Sequence, residues 1–465
     1  LEAVERAIEA GREDAVRVLQ EFLRIPSISA DPERRDDVVR AARHLAGLLR
    51  EAGLSSVEVL PTAGHPIVYG EWLGAEDMPT VLVYGHYDVQ PIADPAEWTS
   101  PPFEPEVRDG KIWARGSTDD KGQLLAHVLA VRAHMAESGS LPINVKFILE
   151  GEEEVGSEHL EEFLRAERDR LAADAVVISD TAMYAPGLPT VCTGLRGIAF
   201  TELTLRGAAT DLHSGSFGGA IDNPANVLAQ LIAGLKDPRT GRILVEGFYD
   251  GVAEPSDAEK AGWAKLPDAE TEFLRNSGAP VLWGEEGRSV LERVWARPTL
   301  DVNGIWGGHT KPGESMTVLP ARASAKISMR LVPDQDPADI AAKLERHVRS
   351  ALPPTVVLES FRELHGGQPW TTSVEHPAVQ AAFRAVEKGL GKAPLPTREG
   401  GSIPIVALFE EVLSAPVVLM GFGLPGDRPH GPDEHFSLEN FHGGIRCAAH
   451  FLAEMRETAP RRERA

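Results

Sequence analysis

Several short segments of this chain place carboxylates and imidazoles, the groups that hold divalent cations and activate water, just past apolar runs. In VLVYGHYDV, His86 and Asp88 are two residues apart, so in extended chain both side chains project to one side. An imidazole that binds metal through one nitrogen normally hands its other N–H to a carboxylate, and Asp88 is placed to take it. WARGSTDDKG puts Asp119 and Asp120 where a helix begins. A carboxylate there can cap free amide groups, but Asp119 can also give one oxygen to each of two cations. ILEGEEEVGS sets Glu152, Glu153 and Glu154 side by side after a strand-like run, where like charges repel unless a cation joins them. With Glu154 as a ligand, Glu153 is free to face a bound water and take its proton. VVISDTAMY adds Asp180, and GDRPHGPDEHF offers His430 and His435.

Any one of these residues reads equally well as a cap, a surface acid or a structural histidine. Their joint order points to a hydrolase with two metal ions. Mixed oxygen and imidazole ligands suit zinc, with manganese or cobalt as alternatives, in a pair ~3.5–4 Å apart. Such a pair brings a shared water toward pKa ~7 and polarises the scissile carbonyl. Glu153 would accept the water's proton and pass it to the departing amine, with no serine or cysteine nucleophile.

The elements that must position these groups follow from periodicity. Helical spacing runs over 2–23 and 34–52, and short apolar runs at 56–60, 66–73, 80–85, 143–149 and 174–179 read as strands. Helices at about 118–138 and 157–170 lie between some of them, which implies an α/β sheet covered on both faces. From Gly197 the order becomes strand, helix (NPANVLAQLIAGL), strands at 298–306 and 316–332, helix at 337–351 and strand at 355–361, an order that suits a ferredoxin-like α+β sandwich. Residues 238–297 interrupt it. The α/β pattern resumes with helices at 374–389 and after Ser402, a strand at 416–423 and a helix from Ser437 to about Met455. The expectation is one discontinuous α/β domain, 1–196 and 366–465, with a smaller domain, 197–365, inserted in it. The last ten residues look like a frayed tail.

Bulk properties narrow the field. At 465 residues the chain exceeds a single ordinary core, and 42% hydrophobic with 25% charged residues is globular. A net charge of −23 argues against nucleic acid as a partner. Cys192 and Cys447 are too few for a disulfide framework, which fits a reducing, cytoplasmic setting. No apolar run approaches the ~20 residues that span a bilayer, and the charged amphipathic start lacks a secretory signal's apolar core.

The motifs GHYDVQP, ARGSTDDKGQ, EGEEEVGSE, SDT, GLRGI, DLHSGSFGG, MRLVP, REGGSIP and HGPDE, in this order, resemble the carnosinase and cytosolic dipeptidase branch of the co-catalytic dizinc metallopeptidases, relatives of glutamate carboxypeptidase and aminoacylase. The resemblance covers nearly the whole chain. It implies a zinc-exopeptidase-like α/β catalytic domain carrying an inserted ferredoxin-like lid that also dimerises the protein. It implies His86, Asp119, Glu154, Asp180 and His430 as metal ligands, with Asp119 bridging, Glu153 as general base and Asp88 orienting His86. His430 is preferred to His435 on the family pattern, and a cis peptide is implied after the bridging Asp119. His213 matches the histidine that reaches a neighbouring subunit's site and stabilises the tetrahedral oxyanion. Arg330 matches the clamp on a substrate carboxylate, a task suited to arginine's planar fork. Thr317 matches a smaller contact, and Gly401 and Ser402 precede a helix whose amides could hold an anionic substrate terminus. Two departures, Asp120 where asparagine is common and Asn303 where some relatives have a nearby histidine, bear on substrate choice and not on chemistry.

The expected activity is therefore cleavage of dipeptides or short peptides by a homodimer, without nucleic acid or membrane partners. A deacylase of N-acyl amino acids or a carboxypeptidase would share the same metals and base. A binding protein that lost catalysis is disfavoured because every ligand position and the base are filled.

Overall fold

The computed structural model describes residues 1–458 apart from Pro312 and Glu314. Two compact units emerge. One comprises Leu1–Thr193, Thr372–Thr397 and the chain from Leu408; the other comprises Gly194–Thr371 and Arg398–Ala407.

In the first unit the sheet runs Ser56–Leu60, Ile67–Trp72, Asn144–Glu150, Thr80–His86, Ala175–Ile178, Val417–Leu419, Thr190–Leu195. The central strands Asn144–Glu150, Thr80–His86, Ala175–Ile178 and Val417–Leu419 are parallel to one another. Their sequences are nearly continuous Val, Ile, Leu and Phe because helices cover both faces. Helix Lys121–Ser138 shows why periodicity alone is a weak guide here. It is buried on almost every side and packs against Leu438–Met455, so it has no polar face to read. Leu124, Leu125 and Val128 share a core with Val83, Phe147 and Val177.

Several sequence expectations are refined. The helical stretch 2–23 breaks at Gly11 into Glu2–Ala10 and Arg12–Leu23, glycine being a poor interior residue for a helix. The stretch 157–170 divides at Glu167 into Leu160–Ala166 and Arg168–Leu171. The strand expected over 416–423 ends at Leu419, and the amides of Phe422 and Gly423 donate instead to Gln123 Oε1, at 2.6 and 3.2 Å. The buried strand Thr190–Leu195 was not anticipated. Of the expected tail, Arg456–Thr458 form one 3-10 turn and the remainder lies outside the described residues.

The second unit carries a four-stranded antiparallel sheet in the order Thr299–Gly307, Arg322–Leu331, Gly197–Arg206, Val357–Gly367. Helices Pro224–Ala233 and Pro337–Ala351 complete the ferredoxin-like order. Each begins with proline after an Asn223 or Asp336 cap, the usual chemistry of a helix start. Gly197–Arg206 alternates strictly between buried and half-buried, so Leu203 and Leu205 meet Ile327, Met329 and Leu344 in a separate core. The single strand expected over 316–332 is two, Val318–Leu319 and Arg322–Leu331, parted at Pro320, which has no amide hydrogen to donate. The strand expected to end near 361 continues to Gly367. Within 238–297, helices Asp257–Trp263 and Ala269–Ser277 are followed by a π-helical segment, Glu292–Ala296.

Candidate metal centre

In the first unit the chemistry-bearing residues collect past the C-terminal ends of the parallel strands, where open α/β sheets bind ligands. His86 ends its strand and is fully buried. Asp180 lies two residues beyond Ala175–Ile178, and Glu153 and Glu154 occupy a 3-10 turn after Asn144–Glu150. Asp119, joined to Asp120 by a cis peptide bond, precedes helix Lys121–Ser138. His430 stands in a loop with φ 61°.

Two groups of donor atoms form, His86–Asp119–Asp180 and Asp119–Glu154–His430, and within each the atoms lie within 4.8 Å of one another. Asp119 belongs to both. Its Oδ1 is 3.0 Å from His86 Nε2, and its Oδ2 is 3.0 Å from His430 Nε2. His86 Nε2 is also 3.8 Å from Asp180 Oδ2, and His430 Nε2 is 3.2 Å from Glu154 Oε2. One carboxylate thus turns a separate oxygen to each imidazole. His435 stands elsewhere: its Nε2 is 2.9 Å from Lys111 Nζ, and its ring packs on Trp113.

The electrostatics of the cluster fit divalent cations. Burial, and then the charge of Asp119, pushes the Asp180 carboxyl well above the usual carboxylate range. Burial also raises Glu153 to about 7, with Glu154, Asp119 and Asp88 adding to the effect against His86. Burial opposes the charge of Asp119 too, yet bonds from His430 and His86 hold it below its ordinary value. His430 is raised to about 10 by Asp119 and then Glu154; His86, despite burial, is raised by Asp119 and Asp88. More carboxylates converge than two imidazolium ions neutralise, and cations complete the balance.

Without cations both imidazoles keep their protons at neutral pH, so a binding cation must displace them. Affinity is therefore expected to fall as pH falls through neutrality, since His430, raised to about 10, and His86, raised by its carboxylate neighbours, must each give up a proton to a cation. Calorimetry in buffers of different ionisation enthalpy measures the proton release; binding with no proton release at pH 7 would contradict it.

The surrounding residues explain how the donors are held. Asp88 Oδ1 is 3.4 Å from His86 Nδ1, but the closer contact to that nitrogen is the Asp88 backbone oxygen at 3.1 Å. The Asp88 carboxylate also accepts the amides of Glu153 and Glu154, at 3.3 and 3.1 Å, so one residue ties the histidine to the glutamate turn. Gln90 Nε2 donates to Glu154 Oε2 at 2.8 Å. Glu434, the last residue of HGPDE, is fully buried and accepts from Arg115 Nη1 (2.8 Å) and from the amides of Gly116, Thr118 and Asp119 (3.0, 3.1 and 3.2 Å). Arg115 Nη2 donates in turn to the backbone oxygens of Pro91 and His430, both at 3.1 Å. The signal available in the sequence was a glutamate and an arginine inside two of the motifs, with nothing to say that they pair.

The model of peptidase family M20/M25/M40 matches residues 82–454. The chain belongs to that family. Among M20 relatives, the Cys-Gly metallodipeptidase dug1 of Schizosaccharomyces pombe is 32% identical over 480 residues, covering 99% of each chain. The human Beta-Ala-His dipeptidase is 32% identical, covering 98% of this chain and 92% of that protein. The M20 metallo-carboxypeptidase Sso-CP2 of Sulfolobus solfataricus superposes with TM-score 0.82 at 32% identity, covering 95% of this chain and 99% of the other. The zinc-exopeptidase-like α/β architecture with an inserted α+β domain is the fold of this family.

The remaining expected residues lie in the second unit. His213 is exposed at the end of a short ladder with Val318, and its Nδ1 accepts the Gly215 amide at 3.1 Å. Thr317 is exposed, and its backbone oxygen accepts the Ser214 amide at 3.0 Å. Arg330 Nη1 donates to Ser402 Oγ at 3.0 Å, beside the exposed Gly401. Among the described residues no helix is long and apolar enough to cross a membrane.

Proposed function

We propose that the chain is a dinuclear metallodipeptidase, with His86, Asp119 and Asp180 holding one cation and Asp119, Glu154 and His430 the other. The observation that carries this reading is the sharing of Asp119, with one oxygen toward each imidazole. Zinc is the leading candidate, on a donor set of two imidazoles and three carboxylates. When bound, the cations supply Lewis acidity to the scissile carbonyl and lower the pKa of water at the site. Asp88 orients His86 and anchors the backbone of the glutamate turn. Glu153, which belongs to neither donor group, takes the proton of the attacking water and returns it to the leaving amine.

The named activities of the relatives support dipeptides as substrates. Arg330, with Ser402 and Gly401, would bind the substrate's carboxylate end, Thr317 would add a smaller contact, and His213 would polarise the carbonyl oxygen in a neighbouring subunit. A homodimer through the 197–365 domain gives His213 that reach. Ile305 (61% exposed) and Trp306 (43%) on an outer strand of its sheet offer apolar surface for a second copy.

A panel of metal-loaded assays tests the reading. Cys-Gly and β-Ala-His are expected to turn over faster than N-acetyl amino acids or longer peptides. Deacylation outpacing every dipeptide would overturn it in favour of the deacylase. Mixed dimers of His213→Ala and Glu153→Ala subunits are expected to regain about a quarter to half of wild-type activity, because one composite site is intact. No recovery in verified mixed dimers would remove His213 from the neighbouring site.

A further inference from the structure

The motif GLRGI contains an arginine to which the reading above gives no task. Arg196 is only 8% exposed, yet it makes no ion pair among the described residues, and the one carboxylate that acts on its charge, Asp301, does so from farther off. Its guanidinium is spread over backbone oxygens instead: Nε donates to Gly400 O at 3.0 Å, and Nη1 lies 3.5 Å from both Arg293 O and Arg297 O. A buried cation without a counter-ion is costly unless something else completes its surroundings. The carbonyls satisfy its hydrogens and leave its charge.

The same residue reaches Arg330 through one side chain. Ser402 Oγ donates to the backbone oxygen of Arg196 at 2.5 Å, so its hydrogen is committed and its lone pairs face Arg330 Nη1, 3.0 Å away. Arg330 likewise makes no ion pair among the described residues and shares the more distant charge of Asp301. Burial and then Arg330 lower Arg196 to about 10, so both guanidinium groups remain charged at neutral pH. One of the two glycines, Gly400, is needed for this approach. A Cβ on Gly400 would stand 2.9 Å from Arg196 Nη2 and 3.1 Å from Val294 O, whereas Gly401 has open space around it. Two cations that share only the more distant charge of Asp301 thus converge on a Gly-Gly-Ser turn that precedes helix Pro404–Leu413.

We propose that Arg196 is a specificity-determining positioning residue for a substrate with a free C-terminal carboxylate. It fixes Ser402, and through it the fork of Arg330, and adds a second positive charge behind the turn. This rests on the reading of Arg330 as the carboxylate clamp. A substrate whose terminus is amidated gains nothing from the extra charge, so the device separates true dipeptides from blocked ones.

The test uses β-Ala-His or Cys-Gly, whichever the wild type cuts faster, and the C-terminal amide of the same dipeptide. Wild type is expected to prefer the acid by at least about a hundredfold in kcat/KM, the scale of a lost charged hydrogen bond. Arg196→Met is expected to raise KM for the acid about ten- to a hundredfold, with kcat within a few-fold and the amide little changed. Arg196→Lys, which keeps charge and loses the fork, is expected to fall between. Wild type cutting acid and amide equally would overturn the clamp reading and this proposal together. A preserved acid preference in both Arg196 variants, with Arg330→Met losing it, would overturn the role of Arg196 alone. So would an equal loss toward acid and amide, the mark of a merely structural residue. Should Arg196→Met not fold, Arg196→Lys with the inhibition constant of the free product amino acid, set against that of its amide, decides the matter: an unchanged ratio overturns the proposal.

Discussion

Glu153→Gln is expected to lower kcat by about a hundred- to ten-thousandfold, the usual range for a lost general base, while the bound metal content stays at the wild-type level. The separation of the two effects is the informative part. Glu153 belongs to neither donor group, so neither cation depends on it. Its amide donates to Asp88 Oδ1, a contact glutamine keeps, so the turn that presents Glu154 remains anchored. The amide side chain is close to isosteric but cannot accept a proton. Metal analysis of the purified variant beside its turnover gives the answer. Turnover within about tenfold of wild type would exclude Glu153 as the base, and a loss of metal would assign it to the ligands instead. Glu154→Gln is the paired control and should lose a cation.

Asp119→Ala is expected to remove both cations and bring hydrolysis to background. Asp119 alone stands in both donor groups, and its two oxygens serve different histidines. Without it His86 keeps Asp180 and His430 keeps Glu154, two protein donors each where three are usual for catalytic zinc. The change also leaves Asp180 and His86 buried without their partner, so the variant's melting temperature should no longer rise when metal is added. Asp180→Ala removes a donor from only one group, and about one ion per chain is expected to remain. Elemental analysis across the two variants distinguishes a shared ligand from an ordinary one. Equal metal loss in both would mean that Asp119 does not bridge.

Much of this centre was legible before any fold was known, because its residue types are chemically unusual where they stand. Three glutamates after a strand-like run, and a histidine two residues from an aspartate, have few inexpensive explanations in a folded protein. The parallel sheet was legible as well, since strands buried on both faces are continuous apolar runs bounded by turn residues. Element ends were less so. They depend on where backbone hydrogen bonds find other partners, as when Gln123 takes the amides beyond Leu419. Helix Lys121–Ser138 loses its polar face for a related reason, its first three turns being enclosed by segments distant in sequence.

By itself the sequence determined which groups are available for the proposed chemistry, because donor type and charge belong to individual residues and their order along the chain is fixed. It also determined the two kinds of sheet, through the contrast between continuous and alternating apolar patterns. Only the tertiary structure decided how the groups are held: that Glu434 and Arg115 clasp the loops of Asp119 and His430, that Asp88 binds the glutamate turn, and that Arg196 lies buried beside Arg330's serine partner. Those are contacts between residues tens to hundreds of positions apart, and a hydrogen bond requires its atoms to meet within about 3 Å, a condition that no local pattern records.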